Sequence, residues 1–432
     1  MKMTRKHVSQ QLAFMRVFSI RPFLFIWLAQ VASQLAINIM LFLLALVAYK
    51  QTGSNTAVSG IFIAYGVPAV LFGLVAGTFV DSADKRLVII YSNLIRTVLS
   101  VGLLFVSHNM VFVYILMFLN AFVTQFYVPA TAPLLPRFVP PAQLMVANSL
   151  FSFAYYASMA LGFIIAGPML RAFGPFVSLA ILAFCFALAT FFSWKLPNTE
   201  KDGAVSIFEK IKKYSFFPLL SRVSMKTKAG ISYVMNSRDL FDGVVLLTGT
   251  QIIIALLGAL GPGFADQILG IDILDVSLVI IGPAVVGLIL GAFWIGNIGY
   301  KFTSEFLIRT GIISSGVILF LVAATVYLES FARFGWLFSK QIIIPIELLL
   351  FFLLGVANSF IDIPANSVLQ KKAEGEMRGR VYGLLGAFVG GVGILPVMIG
   401  GILADVIGVG KVIFFLGIVI MIYGGVRMRR GK

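Results

Sequence analysis

The chain has one cysteine and two histidines in 432 residues. Cys185 lies inside an apolar run, so a disulfide framework is excluded. His7 stands in the N-terminal tail and His108 in a short loop, so neither a haem nor a multi-histidine metal site can be built from them. Charge is equally scarce. Only 12% of the residues are charged, about half the share of a soluble domain. No Gly-x-x-x-x-Gly-Lys-(Ser/Thr) loop occurs, which argues against ATP hydrolysis in this chain. The period-2 alternation of a membrane barrel is missing as well. These absences predict a protein with no cofactor, no metal and no enzymatic activity.

What is abundant is apolar sequence, 60% of the residues, with a mean hydropathy of +1.01. Windows of about 20 apolar residues, the length that crosses a bilayer as a helix, fall near 22–48, 56–80, 87–106, 110–130, 142–170, 174–196, 240–264, 274–298, 304–327, 342–363, 380–404 and 410–427. The expectation is an all-α integral membrane protein of about twelve transmembrane helices. The N-terminus is basic before the first run, as in a signal peptide. The run from Pro22 to Ala48 is too long for that role, and it is read as a retained first span.

The formal net charge of +16 would suggest nucleic acid on a soluble protein. Here it follows the membrane. With the N-terminus placed inside, 27 of the 33 Lys and Arg fall on inner segments and five on outer loops. Basic residues gather on the cytoplasmic side, so both termini are predicted to be cytoplasmic. No nucleic-acid partner is expected. The longest polar stretch, 197–239, splits the spans six and six. The predicted domains are therefore 1–196, a cytoplasmic linker at 197–239, and 240–432. Lys201, Lys210, Lys212, Lys213, Arg222, Lys226 and Lys228 alternate with Ile207, Phe208, Ile211, Phe216 and Phe217 in the linker. That pattern suits an amphipathic helix on the anionic inner leaflet, or a solvated connector. The halves echo one another: Pro129-Ala130 and Pro364-Ala365 stand 235 positions apart (364 − 129), and Leu134 falls on Leu369 at the same offset.

The most distinctive segment is Gly77-Thr78-Phe79-Val80-Asp81-Ser82-Ala83-Asp84-Lys85-Arg86, a tight charged hairpin between spans 2 and 3. Asp81 is placed to cap a neighbouring helix N-terminus or to pair with Lys85 or Arg86. Contacts that form in one conformation and break in another set the balance between states. The pattern Gly77-x-x-x-Asp81-x-x-x-Lys85-Arg86 resembles the signature loop of the major facilitator superfamily of transporters. Thr52-Gly53-Ser54 opening span 2, the stretch Ala130 to Leu150, Arg378-Gly379-Arg380-Val381-Tyr382-Gly383 and Gly400-Gly401-x-x-Ala404-Asp405 extend the resemblance over nearly the whole chain. Together they are similar to the bacterial exporter branch with macrolide and siderophore efflux proteins. The resemblance implies two six-helix bundles, a prokaryotic inner membrane and a monomer. It also implies that Asp81 braces the start of span 11 near Arg378, Gly379 and Arg380. Two features depart from the family: span 1 has no acid in Ser33–Asn38, and span 4 lacks the family's arginine between Asn120 and Tyr127.

Ionisable residues inside spans are functional candidates by default. Glu347 in span 10 is the proton-carrier candidate. Asp362, near the inner end of that span, is a gating partner for Lys371 or Arg380. Arg96, midway along span 3, shares a face with Asn93 and serves as a structural partner for neighbouring helices. Gln30, Gln34 and Asn38 recur every four positions on one face of span 1. With Asn120, Thr124 and Gln251 they either line a central cavity or pack helices through hydrogen bonds. Phe153, Tyr155 and Tyr156 offer an apolar wall in span 5. The expected function is secondary transport by alternating access: proton-coupled efflux of a hydrophobic or amphipathic small molecule, with membrane lipids around it. The alternatives are a lipid or lysolipid flippase on the same scaffold and, from another class, a polytopic membrane transferase, which would need a polar cluster of Asp, His or Glu at a membrane face.

Overall fold

The computed structural model describes residues 15–198, 231–329, 340–373 and 393–430, together with Met377, Val381, Leu384, Leu385 and Phe388. Ten of its helices are long and apolar enough to cross a membrane. In chain order the helices are α1 (Arg21–Thr52), α2 (Asn55–Ser82), α3 (Lys85–Val106), α4 (Met110–Thr131), α5 (Leu144–Trp194), α6 (Arg238–Phe264), α7 (Gly282–Ile298), α8 (Ser304–Glu329), α9 (Lys340–Lys372), α10 (Ile394–Ile407) and α11 (Val409–Arg430). The 51-residue α5 is twice the length of a span and breaks at Gly174, whose φ of 68° suits glycine. It therefore supplies spans five and six. The shorter α10 is the described part of span eleven. The all-α membrane architecture expected from the apolar runs is the one observed.

Helix boundaries follow from short polar residues in the loops. Asp84 caps α3, its carboxylate accepting from the backbone N–H groups of Arg86 (2.9 Å) and Leu87 (3.2 Å). Asn109 does the same for α4 through Val111. Such caps satisfy donors that have no partner within the helix. Proline lies inside α2 (Pro68), α4 (Pro129), α6 (Pro262) and α9 (Pro345, Pro364).

By packing, the described residues form two units. One holds residues up to 42, 67–163 and 172–198; the other holds 43–66, 164–171 and those from 231 onward. Two short segments of the N-terminal half, the junction of α1 with α2 and the middle of α5, group with the second unit. The linker residues 199–230 lie outside the described residues.

Within the first unit an aliphatic and aromatic core gathers Phe23, Ile26, Val80, Tyr127 and Leu134. Within the second unit the helices meet through small residues, as membrane helices do when lipid offers no hydrophobic drive between them. A Cβ on Gly287 of α7 would lie 1.9 Å from the Phe352 carbonyl oxygen of α9. A Cβ on Gly355 of α9 would lie 1.9 Å from the Ala284 carbonyl oxygen. Gly316 and Gly417 bring α8 and α11 together in the same way.

Candidate functional site

The loop between α2 and α3 belongs to the first unit. Asp84 caps α3, and the Arg86 guanidinium donates to the Trp194 carbonyl at 2.9 Å, a cation at the C-terminal end of α5. Lys85 donates to the Ala83 carbonyl at 3.2 Å. The sequence offered Asp81 either a neighbouring helix N-terminus or Lys85 or Arg86; among the described contacts, Arg86 reaches the end of α5. The Asp81 side chain and Arg378, Gly379 and Arg380 lie outside what the structure describes.

Deeper in the first unit, Arg96 is 1% exposed. Its guanidinium donates to the Ser33 hydroxyl of α1 and, at 2.6 Å, to the Thr124 hydroxyl of α4. The Tyr127 and Phe186 rings cover it, with centroids at 4.9 and 5.6 Å, a desolvated cation–π arrangement. Asn93, one turn earlier, bonds Ser193 at 3.1 Å and accepts from Ser33. One charged side chain from α3 thus ties α1, α4 and α5. Of the cavity candidates, Gln30, Gln34, Asn120 and Thr124 are buried within this unit, and Asn38 donates to the Gln34 carbonyl of its own helix. Gln251 in α6 is half-buried.

In the second unit Glu347 is fully enclosed. One carboxylate oxygen accepts from the Thr325 hydroxyl of α8, and the other is buried without a hydrogen-bond partner among the described residues. Asp362 is half-buried and accepts from the Thr250 hydroxyl of α6 at 3.4 Å. At the adjoining helix ends, Arg427 reaches Glu305 (3.1 Å) and Asp242 (3.4 Å), and Lys372 reaches Asp239 (2.9 Å).

The densest polar cluster was not foreseen as a site. At the α1–α2 junction the Asp405 carboxylate of α10 accepts from the Ser54 hydroxyl (2.6 Å) and from Asn55 N–H (2.7 Å) and Nδ2 (3.0 Å). It also accepts from Thr56 N–H (3.0 Å) and hydroxyl (2.7 Å). Nearby, Tyr49 donates to Asp266 at 3.0 Å. The Arg171 guanidinium bridges Asp275 (2.6 Å) and Asp272 (3.1 Å). A hydrogen bond from Leu274 N–H and the Arg171 charge hold the Asp272 carboxyl below its ordinary value. Gly167 N–H donates to the Ser277 hydroxyl at 3.0 Å. All these residues lie in the second unit. They join the α1–α2 junction and the middle of α5 to the C-terminal helices. The acid in Gly400-Gly401-x-x-Ala404-Asp405 was visible in the sequence; its partners, some 350 residues away, were not.

A sequence model described as Major Facilitator Superfamily matches residues 26–396. An uncharacterized MFS-type transporter of Bacillus subtilis (strain 168), YfiS, is 24% identical over 387 residues, covering 89% of this chain and 87% of that one. Among solved structures, the nucleoside transporter NupG superposes with a TM-score of 0.72 at 11% identity, covering 95% of this chain and 99% of that one. A POT family transporter in complex with 5-aminolevulinic acid gives 0.72 at 13%, with coverages of 94% and 95%. An inward-facing, unoccupied bacterial homologue of the human lysosomal transporter Spinster gives 0.70 at 11%, with coverages of 93% and 95%. At these identities the likeness to solved structures is one of fold.

Proposed function

The chain belongs to the Major Facilitator Superfamily and is a membrane transporter, not an enzyme; from that premise we propose that it exports a hydrophobic or amphipathic small molecule by alternating access, in exchange for protons. The proposed setting is a prokaryotic inner membrane, with both termini cytoplasmic and the protein acting as a monomer. Orientation rests on the excess of Lys and Arg on one set of loops. Asp81 is the gating acid, its partner the start of span 11 around Arg378, Gly379 and Arg380.

The observation that carries proton coupling is Glu347. A carboxyl wholly enclosed among apolar helices, with a hydroxyl for its partner, exchanges a proton at far lower cost than it holds a bare charge. Export of an apolar cargo is supported by the near absence of acids from the spans and by the exposed aromatic side chains of Phe153, Tyr155 and Tyr156 on α5.

The test is a screen of radiolabelled lipophilic compounds in inverted vesicles holding the protein, with and without an imposed pH gradient. Uptake of at least one compound that rises with an acid interior and collapses with an ionophore supports the reading. Gradient-independent movement of fluorescent lysolipids, with no response of small-molecule flux to pH, would replace it by the flippase.

A further inference from the structure

Glycine and aspartate stand four residues apart at the end of two different helices: Gly77-x-x-x-Asp81 in α2 and Gly401-x-x-x-Asp405 in α10. The second is not the internal repeat of the first. The two are 324 positions apart (405 − 81), whereas the matched stretches of the halves are 235 apart. The likeness is of another kind. Spans 2 and 11 cross the membrane in opposite directions, so at each face one of them ends and the other begins.

At the face where α2 begins, the geometry is complete. All five hydrogen bonds to Asp405 come from Ser54, Asn55 and Thr56. Two of them come from backbone N–H groups in the first turn of α2, which have no partner inside the helix. The carboxylate also sits at the positive end of the helix dipole. It is an N-cap supplied by a distant helix. Gly401, one turn before the acid, makes the approach possible. A Cβ there would lie 2.2 Å from the Ser59 hydroxyl and 2.9 Å from the Asn55 carbonyl oxygen. On another side of the same turn, a Cβ on Gly263 of α6 would lie 2.1 Å from Asn55 Oδ1. The start of α2 is wedged between two glycines and closed by one acid. At Gly77, by contrast, nothing among the described residues stands within 4 Å of where a Cβ would lie.

We infer that Gly401 and Asp405 form a second latch, reciprocal to Gly77 and Asp81. Asp405 ends α10 and caps the start of α2 at the outer face; on the gating reading proposed above, Asp81 plays the same part at the inner face. One latch is made when the other is broken, so Asp405 positions the transporter in the state closed to the outside. This inference deepens the alternating-access reading and rests on it. The side chains that face Asp405 are hydroxyls and an amide, so the latch responds to α2 moving away and to loss of the carboxylate charge.

The experiment uses the full chain in right-side-out vesicles, with Cys185→Ser and one reporter, Leu256→Cys. Leu256 is buried on α6 against Gly400, whose Cβ position lies 2.2 Å from it. A membrane-impermeant maleimide reaches the reporter once the outer latch opens. Asp405→Asn keeps the shape and loses the charge, and it is expected to raise the labelling rate about two- to thirtyfold, the range of a lost N-cap. Thr56→Val, which deletes one donor on an exposed residue, raises it less. Asp81→Asn lowers it, and the double variant returns toward the parent. A monodisperse elution peak checks folding; where Asp405→Asn fails that check, Thr56→Val and Ser54→Ala decide. If both position-405 and position-56 variants label at the parent rate while Asp81→Asn slows labelling, the second latch is wrong and alternating access stands. If Asp81→Asn also leaves the rate unchanged, the gating reading of Asp81 falls, and the reciprocal latch with it.

Discussion

Two glycine-to-alanine changes nine positions apart on α7 are expected to move stability in opposite directions. At Gly287 the new methyl would sit 1.9 Å from the Phe352 carbonyl oxygen and 2.8 Å from its carbonyl carbon. Ordinary contact begins near 3.4 Å, so α7 and α9 must part by about 1.5 Å. The obstacle is backbone, and no rotamer change relieves it. Overpacking of this kind costs about 1–3 kcal/mol, against which alanine gains about 1 kcal/mol in helix propensity. Because the obstacle is fixed backbone, the overpacking cost falls at the upper end of that range, and the net expectation for Gly287→Ala is a loss of about 2 kcal/mol, enlarged because Gly355 meets the Ala284 carbonyl in the same seam. At Gly296 a Cβ meets nothing within 4 Å, so only the propensity term acts and Gly296→Ala stabilises by up to about 1 kcal/mol. Gly291→Ala falls between them, since its nearest obstacle is the Ser359 hydroxyl, which can rotate. Unfolding in mixed micelles titrated with SDS, followed by far-UV circular dichroism, ranks the three. If Gly287→Ala is as stable as the parent, or Gly296→Ala less stable, the backbone-to-backbone packing of α7 on α9 is refuted.

Three further outcomes are expected. Asp81→Asn should cut gradient-driven flux at least tenfold with insertion and elution profile unchanged; flux at the parent rate would end the gating role. Glu347→Gln, an uncharged mimic of the protonated acid, should abolish response to the pH gradient while leaving counterflow exchange of the same compound measurable; surviving proton dependence would rule Glu347 out. The Arg171–Asp272 contact should not shape the pH profile between 5 and 8. Because the Asp272 carboxyl is held below its ordinary carboxylate value, its contribution is complete above that value and is lost only as pH falls through the lower folded value. Asp272→Asn should therefore leave the shape of the flux–pH curve over that range as it is, and a displaced midpoint would contradict the assignment.

The spans were legible because a bilayer imposes one length and one composition on every helix. What joins them was not, because the decisive contacts link residues hundreds of positions apart. Asp405 appeared in the sequence as the last residue of a glycine motif; only the fold brings Ser54, Asn55 and Thr56 to it. The four-residue spacing shared with Gly77 and Asp81 was the available signal. Gln30 and Gln34 show a second limit. Their period of four places both on one helix face, but period alone cannot say whether that face meets a cavity or a neighbour; here both are buried. Glu347 shows a third. Its depth along α9 could be read from position, whereas its direction, toward Thr325 of α8, depends on how α8 and α9 pack.

The distribution of acids narrows where proton chemistry can occur. Residues 1–199 contain two carboxylates, Asp81 and Asp84, both in the loop between α2 and α3. The spans of that half contain none, and their one embedded charge, Arg96, is held by the Ser33 and Thr124 hydroxyls. A guanidinium stays protonated throughout the physiological range. His7 and His108 lie in the tail and a short loop. On the proton-coupled reading, the N-terminal spans then provide a fixed positive charge and no carboxyl or imidazole that releases a proton near neutral pH. Twelve of the 17 acids fall between residues 239 and 405, and among them Glu347 and Asp362 lie inside α9. On that reading, proton uptake and release fall to the C-terminal helices. Two of these acids, Glu347 and Asp362, lie on the one helix α9, which packs closely on α7 (Gly287 against Phe352, Gly355 against Ala284).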